Sequence, residues 1–160
     1  MSKTYASIVS RELKCDYYNL GLGGSGVDTL LHNLIIWRAM VSKLPKVLVI
    51  QWPERSRYLI SSTADLKMVS PRGPWYNDPI TEQFILAGED SNFFRTRRLL
   101  TYKLIETLFA CKIVQVTVNK YTEGTIFLPA SDLARDNLHP GIESNINFAN
   151  TICKEILSKS

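Results

Sequence analysis

The run Lys46-Val-Leu-Val-Ile-Gln51 constrains the fold more than any other part of this chain. It is short, unbroken and rich in β-branched residues. A strand with one wet face alternates apolar and polar side chains, whereas a continuous run fits a strand covered on both faces of a parallel sheet. Parallel neighbours need crossover connections, and the flanking sequence supplies helices for them. Leu30, Leu34, Trp37, Val41 and Leu44 recur at helical spacing and stop before Pro45. A second helix is expected from about Asp90, as N-cap, through Leu100, Leu104 and Leu108 to Cys111, and Ile113–Val118 reads as another strand. Ahead of these, Tyr5–Leu13 reads as a short helix carrying Ile8 and Leu13, and Asp16–Leu22 as a strand running into a glycine-rich turn. The last helix is expected to put Ile142, Ile146, Ala149, Cys153 and Ile156 on one face. Helix and strand alternate, which predicts an α/β fold with a parallel sheet.

At 160 residues the chain is expected to form one domain, and 45% hydrophobic with 21% charged residues is ordinary for a globular protein. Residues 53–89 carry Pro53, Pro71, Pro74 and Pro79 and little periodicity, so this connection is either functional or holds short elements of its own. The net charge of +4 is mild. Its one dense basic cluster, Arg95, Arg97 and Arg98 with Lys103 nearby, reads as a solvated helix face, and no nucleic-acid partner is expected. Cys15, Cys111 and Cys153 are odd in number and widely spaced. They read as small buried apolar residues of a reduced protein, with no metal site. The Met-Ser-Lys-Thr-Tyr start lacks the apolar core of a signal peptide, and no run approaches the ~20 apolar residues of a membrane span. A cytoplasmic location is expected, or a virion-associated one if the gene is phage-encoded.

Two segments carry candidate chemistry. In Asp136-Asn-Leu-His139-Pro140 an acid precedes a histidine by three residues, and Pro140-Gly141 then leads into the last helix. The carboxylate can reach one imidazole nitrogen and fix the tautomer, leaving the other to take a proton from a hydroxyl nucleophile. His32, inside a helical pattern, reads as an ordinary surface or core histidine. The second segment, Gly21-Leu-Gly23-Gly24-Ser25-Gly26, matches G-x-G-x-x-G. A dinucleotide site would need an acidic residue ~20 positions later, and Glu54, behind Pro53, is too distant. A P-loop fails because Val27-Asp28 stands where Lys-Ser/Thr is required. Ser25-x-x-Asp28 reads as a capping box rather than a nucleophile.

Taken together, Asn19-Leu20-Gly21-Leu22-Gly23-Gly24-Ser25 and Asp136-x-x-His139 resemble the second and last sequence blocks of the SGNH (GDSL-type) ester hydrolases. The resemblance implies a three-layer flavodoxin-like parallel sheet. It also implies acyl transfer with His139 as base, Asp136 as its orienting acid and a Gly24 N–H in the oxyanion hole. Gln51 is the candidate for the second oxyanion donor, because Gln51-Trp52-Pro53-Glu54-Arg55 replaces the family's Gly-x-Asn-Asp. A Trp…Glu-Arg ending on this strand is similar to SGNH-type proteins of tailed phages. The first block, Gly-Asp-Ser with the nucleophilic serine, is not in the sequence. The expectation is therefore an incomplete domain, a poor fold and a poor hydrolase alone. The missing first strand would lie between Asp16–Leu22 and Lys46–Gln51, and the serine would come from residues upstream of Met1, a split gene or a second chain. No cofactor is implied. The expected partner is a small ester or an O-acylated carbohydrate, for which Tyr58, Trp75 and Tyr76 offer stacking rings. Asn77-Asp78 reads as a turn, and Arg55 and Arg57 either bind an anion or pair with Glu54. The competing readings are a catalytically inactive or carbohydrate-binding relative and a dinucleotide-binding module.

Overall fold

A computed structural model describes residues 4–22, 25–53, 58–61, 69–72, 79, 91–118, 124–136 and 139–158. The chain folds as α/β, in two compact units built from interleaved segments. The first comprises Met1–Asn19, Lys46–Trp52 and Lys112–Ser160, and the second Leu20–Pro45 and Pro53–Cys111.

The first unit holds a three-stranded sheet of β1 (Val47–Gln51), β4 (Lys112–Thr117) and β5 (Ile126–Phe127), in the order β1-β4-β5. Both pairings are parallel, with Val49 opposite Val114 and Val116 opposite Ile126. Side chains that stand opposite one another share a face. Val47, Val49, Val114, Val116 and Ile126 therefore form one apolar surface. Against it pack α1 (Tyr5–Glu12) through Tyr5 and Val9, and the C-terminal helix α4 (Ile142–Ser158) through Phe148, Ile152 and Ile156. Tyr5 and Phe148 meet edge to face, 6.4 Å between ring centroids. Lys112 Nζ donates to the carbonyls of Glu155 and Ile156 at the end of α4, where a cation meets both the orphan carbonyls and the negative end of the helix dipole.

The second unit contains α2 (Val27–Met40), the antiparallel hairpin of β2 (Tyr58–Ser61) and β3 (Val69–Arg72), and α3 (Ser91–Leu108). The hairpin supplies the short elements expected within residues 53–89. Trp37 on α2 stacks on Phe109 just beyond α3, 6.1 Å apart and 16° from parallel. Arg97 of α3 pairs with Asp28 in the first turn of α2.

Several expectations are corrected. Asp16–Leu22 forms no strand, and Tyr17 and Tyr18 stand exposed. A strand exists only by pairing with a neighbour, and among the described residues the only strand that pairs with β1 is β4. Where a strand was expected to start, α1 ends in a Schellman motif. Lys14 takes the left-handed conformation (φ 49°), and Cys15 N–H donates to Ser10 O at 3.0 Å. The α2 helix stops at Met40 because Val41 is extended. Its N-cap is Gly26 with no side-chain cap, so Ser25 and Asp28 form no capping box; Ser25 Oγ donates back to Leu22 O and Asp28 is taken by Arg97. The Arg cluster is not a simply solvated face either, since Arg98 is buried. Cys15 is exposed, and Cys111 and Cys153 are only half-buried. On α4 the buried stripe is Ser144, Phe148, Ala149 and Ile152, while Ile142 and Ile146 face out. The ring of Phe148, larger than any apolar side chain of the expected stripe, sets the helix rotation. The expected Asp90 N-cap lies outside the described residues.

Candidate active site

Because β1, β4 and β5 are parallel, their carboxyl ends lie along one edge of the sheet, the edge from which loops of α/β proteins build their sites. The segment that leaves β5 there passes through buried Leu128 and reaches α4 by way of residues 129–141. Between Asp132 and Gly141 it doubles back on itself. Leu133 and Pro140 form an antiparallel bridge, Ala134 N–H donates to His139 O at 2.8 Å, and Gly141 N–H donates to Asp132 O at 3.0 Å.

Asp136 and His139 sit beyond the bridge. His139 Nδ1 lies 2.6 Å from Asp136 Oδ2, and the His139 backbone N–H donates to Asp136 Oδ1 at 3.1 Å. One carboxylate thus grips both the ring and the main chain of the histidine. A carboxylate can only accept, so the contact selects the tautomer with the proton on Nδ1 and leaves the Nε2 lone pair open. The two side chains are 76% and 48% exposed. A polar contact this exposed contributes about 0–1 kcal/mol to stability. Chemically it is an oriented imidazole able to take a proton from a hydroxyl group and return it.

The base of the loop is held by residues that no sequence motif singled out. Gly141 precedes α4 and has no side chain to cap it. The cap comes instead from Asp132, whose Oδ1 accepts Ser144 N–H and whose Oδ2 accepts Glu143 N–H, at 2.6 and 3.1 Å. A Cβ on Gly141 would lie 2.1 Å from Asp132 Oδ2 and 2.9 Å from Leu133 O, so the missing side chain is the space the carboxylate uses. Gly141→Ala is therefore expected to cost about 1–3 kcal/mol in urea unfolding, as overpacking does. Part of that loss should return when Asp132→Ala is added, because the nearest clash is then gone.

The hydrogen bonds from the Ser144 side chain and from backbone N–H groups hold the Asp132 carboxyl below the usual carboxylate range, against an opposing push from desolvation. A carboxyl of this kind stabilises the fold fully above its unfolded value of about 3.9 and loses that contribution as pH falls through its lower folded value. The stability gap between wild type and Asp132→Asn should accordingly stay flat from neutrality to about pH 5 and close below about pH 4. Urea midpoints measured across that range check the sign; a gap that widens toward acid would contradict it.

Of the other candidate residues, Gln51 ends β1 at the same carboxyl edge, exposed, and next to it buried Trp52 donates its indole N–H to Gln115 Oε1 at 2.9 Å. His32 is exposed on α2. Gly23, Gly24, Glu54, Arg55, Arg57, Trp75, Tyr76, Asn77 and Asp78, and the side chain of Tyr58, lie outside the described residues. Among the described residues no serine hydroxyl meets His139, and no group of three or more His, Cys, Asp or Glu could hold a metal ion. No described helix is long and apolar enough to cross a membrane. The chain matches no family model, no curated protein and no solved structure.

Proposed function

We propose that this chain is the base-bearing part of an SGNH-type ester hydrolase. The observation that carries the reading is the Asp136–His139 contact of 2.6 Å, made by a residue pair that also matches the family's last block. Its position on a loop from the carboxyl edge of a parallel sheet supports the same reading. The parallel β1-β4-β5 sheet covered by α1 and α4 belongs to the same α/β class as a flavodoxin-like domain.

In the proposed reaction a serine hydroxyl attacks the ester carbonyl. His139 Nε2 takes the serine proton as the carbon–oxygen bond forms, and Asp136 stabilises the resulting imidazolium. The negative carbonyl oxygen needs hydrogen-bond donors, for which the sequence resemblance offers Gly24 and Gln51 as candidates. His139 then returns the proton to the departing alcohol. It next activates the water that releases the acid from the acyl-enzyme. Small acyl esters are the substrate class, with O-acylated carbohydrates the first natural candidates because Tyr58, Trp75 and Tyr76 supply rings able to stack on sugars.

The test is hydrolysis of p-nitrophenyl acetate by the intact gene product, with any partner chain that carries the serine. His139-dependent hydrolysis supports the reading. Its absence favours a relative that has kept the fold without the chemistry, or that only binds carbohydrate. The dinucleotide reading is disfavoured by the sequence, which has no acidic residue about 20 positions beyond the glycines to hold a ribose. A titration with NAD that gives no saturable signal would dispose of it.

A further inference from the structure

We infer that Asp132 is the positioning residue of the base, a carboxylate that sets the direction of His139 by clamping the root of its loop to the N-terminus of α4. The inference rests on the reading of His139 as general base and adds a residue that the Asp136–His139 pair does not contain.

The clamp is a closed set of polar contacts. Ser144 is fully buried, and its Oγ lies 2.6 Å from Asp132 Oδ1 and 3.0 Å from Asp132 O. It has one proton to give, and the shorter contact to the ionised oxygen takes it. Its lone pairs accept Ser131 N–H at 2.9 Å and Asp132 N–H at 3.0 Å. Asp132 Oδ1 and Oδ2 also receive the first free N–H groups of the helix, where a negative charge is favoured by the dipole. The backbone of Asp132 is thereby fixed relative to α4 from both sides.

From that fixed point the geometry of His139 follows in short steps. Asp132 O accepts Gly141 N–H, Leu133 bridges Pro140, and Ala134 N–H holds His139 O. Each rung transmits the orientation of Asp132 to the next residue pair, and the last rung sits on the base itself. A single exposed imidazole–carboxylate contact at the tip holds its direction only weakly in water. The clamp supplies the rigidity that the tip lacks.

The sequence has two histidines, His32 and His139, which makes the test direct. In 15N-labelled protein the ring-nitrogen shifts of His139 report the share of the Nδ1–H tautomer, with His32 as internal reference, and the Ala134 amide exchange rate reports the last rung. Asp132→Ala should speed Ala134 exchange roughly tenfold or more and move His139 toward a mixed tautomer, with melting still cooperative. Phe148→Ala, which weakens α4 away from the clamp, should lower the melting temperature without moving the tautomer.

A folded Asp132→Ala protein with wild-type Ala134 exchange and a wild-type His139 tautomer would overturn the inference. Should Asp132→Ala fail to melt cooperatively, Ser144→Ala keeps the carboxylate and its two backbone donors; a smaller shift in the same direction is expected, and no shift overturns the positioning role. The two readings fail separately. Missing ester hydrolysis removes the esterase and leaves the tautomer result standing, whereas a tautomer indifferent to Asp132 removes the clamp and leaves hydrolysis untouched.

Discussion

On the proposed ester-hydrolase reading, His139→Ala should lower the turnover of p-nitrophenyl acetate by up to about six orders of magnitude, and Asp136→Asn by about four. In the proposed mechanism the histidine accepts the serine proton, so its loss leaves an un-ionised alcohol as the nucleophile. The amide in Asp136→Asn can present its NH2 to Nδ1, which selects the opposite tautomer and puts the proton on Nε2, where the lone pair is needed. It also removes the charge that stabilises the imidazolium. The main-chain contact from His139 N–H to Oδ1 can survive in the amide, so the loop should keep its shape. Both side chains are more than two-fifths exposed, and neither change should shift the melting temperature appreciably. Near-normal turnover by His139→Ala would remove this histidine from the mechanism; parallel losses of turnover and stability would recast the pair as a structural turn. His32→Ala, exposed on another element, is the control and should be silent.

How far this could be read from the sequence depended on whether the information was local. The β1 and β4 strands, the helices near them and the Asp136–His139 pair are specified within a few residues. Periodicity and spacing therefore located them, with element ends off by a few residues. The Asp132 clamp was not legible, because its parts lie nine to thirteen positions apart and obey no fixed spacing. The available signal was negative: Gly141 opens a helix without a side chain to cap it, so a cap had to come from elsewhere. Asp16–Leu22 misled for the opposite reason. Its tyrosines have high β propensity, but propensity cannot supply the neighbouring strand that makes a strand. The rotation of α4 was also set by tertiary packing, since Ile142 and Ile146 satisfy the helical period as well as Phe148 and Ile152 do. Only the valine surface of β1 and β4 decides between the two stripes.

That surface yields the largest stability effect expected here. Phe148 is 2% exposed and packs with Val114, Val116, Leu128 and Ile152, its ring edge to face with Tyr5 of α1. Phe148→Ala removes a ring from the junction of the sheet with both helices of the first unit, and the residues around it are anchored on separate elements that cannot all close in. A loss of about 3–5 kcal/mol is expected, the transfer energy of the ring plus the cavity left behind. In a chain of this size each kcal/mol lowers the melting temperature by roughly 2–4 °C, so a fall of about 6–20 °C should be seen by circular dichroism. A loss this large would take a sizeable share of a typical 5–15 kcal/mol stability, and urea unfolding should show a lower midpoint with an unchanged slope. Phe148 lies one turn beyond Ser144 on α4, and the clamp is tied by hydrogen bonds that do not involve the ring. Below its melting transition the variant should therefore keep the Nδ1–H tautomer of His139 and, on the proposed reading, most of the turnover. A loss under about 1 kcal/mol would mean that the valine surface does not hold α4 in this rotation, and would reopen Ile142 and Ile146 as its buried stripe.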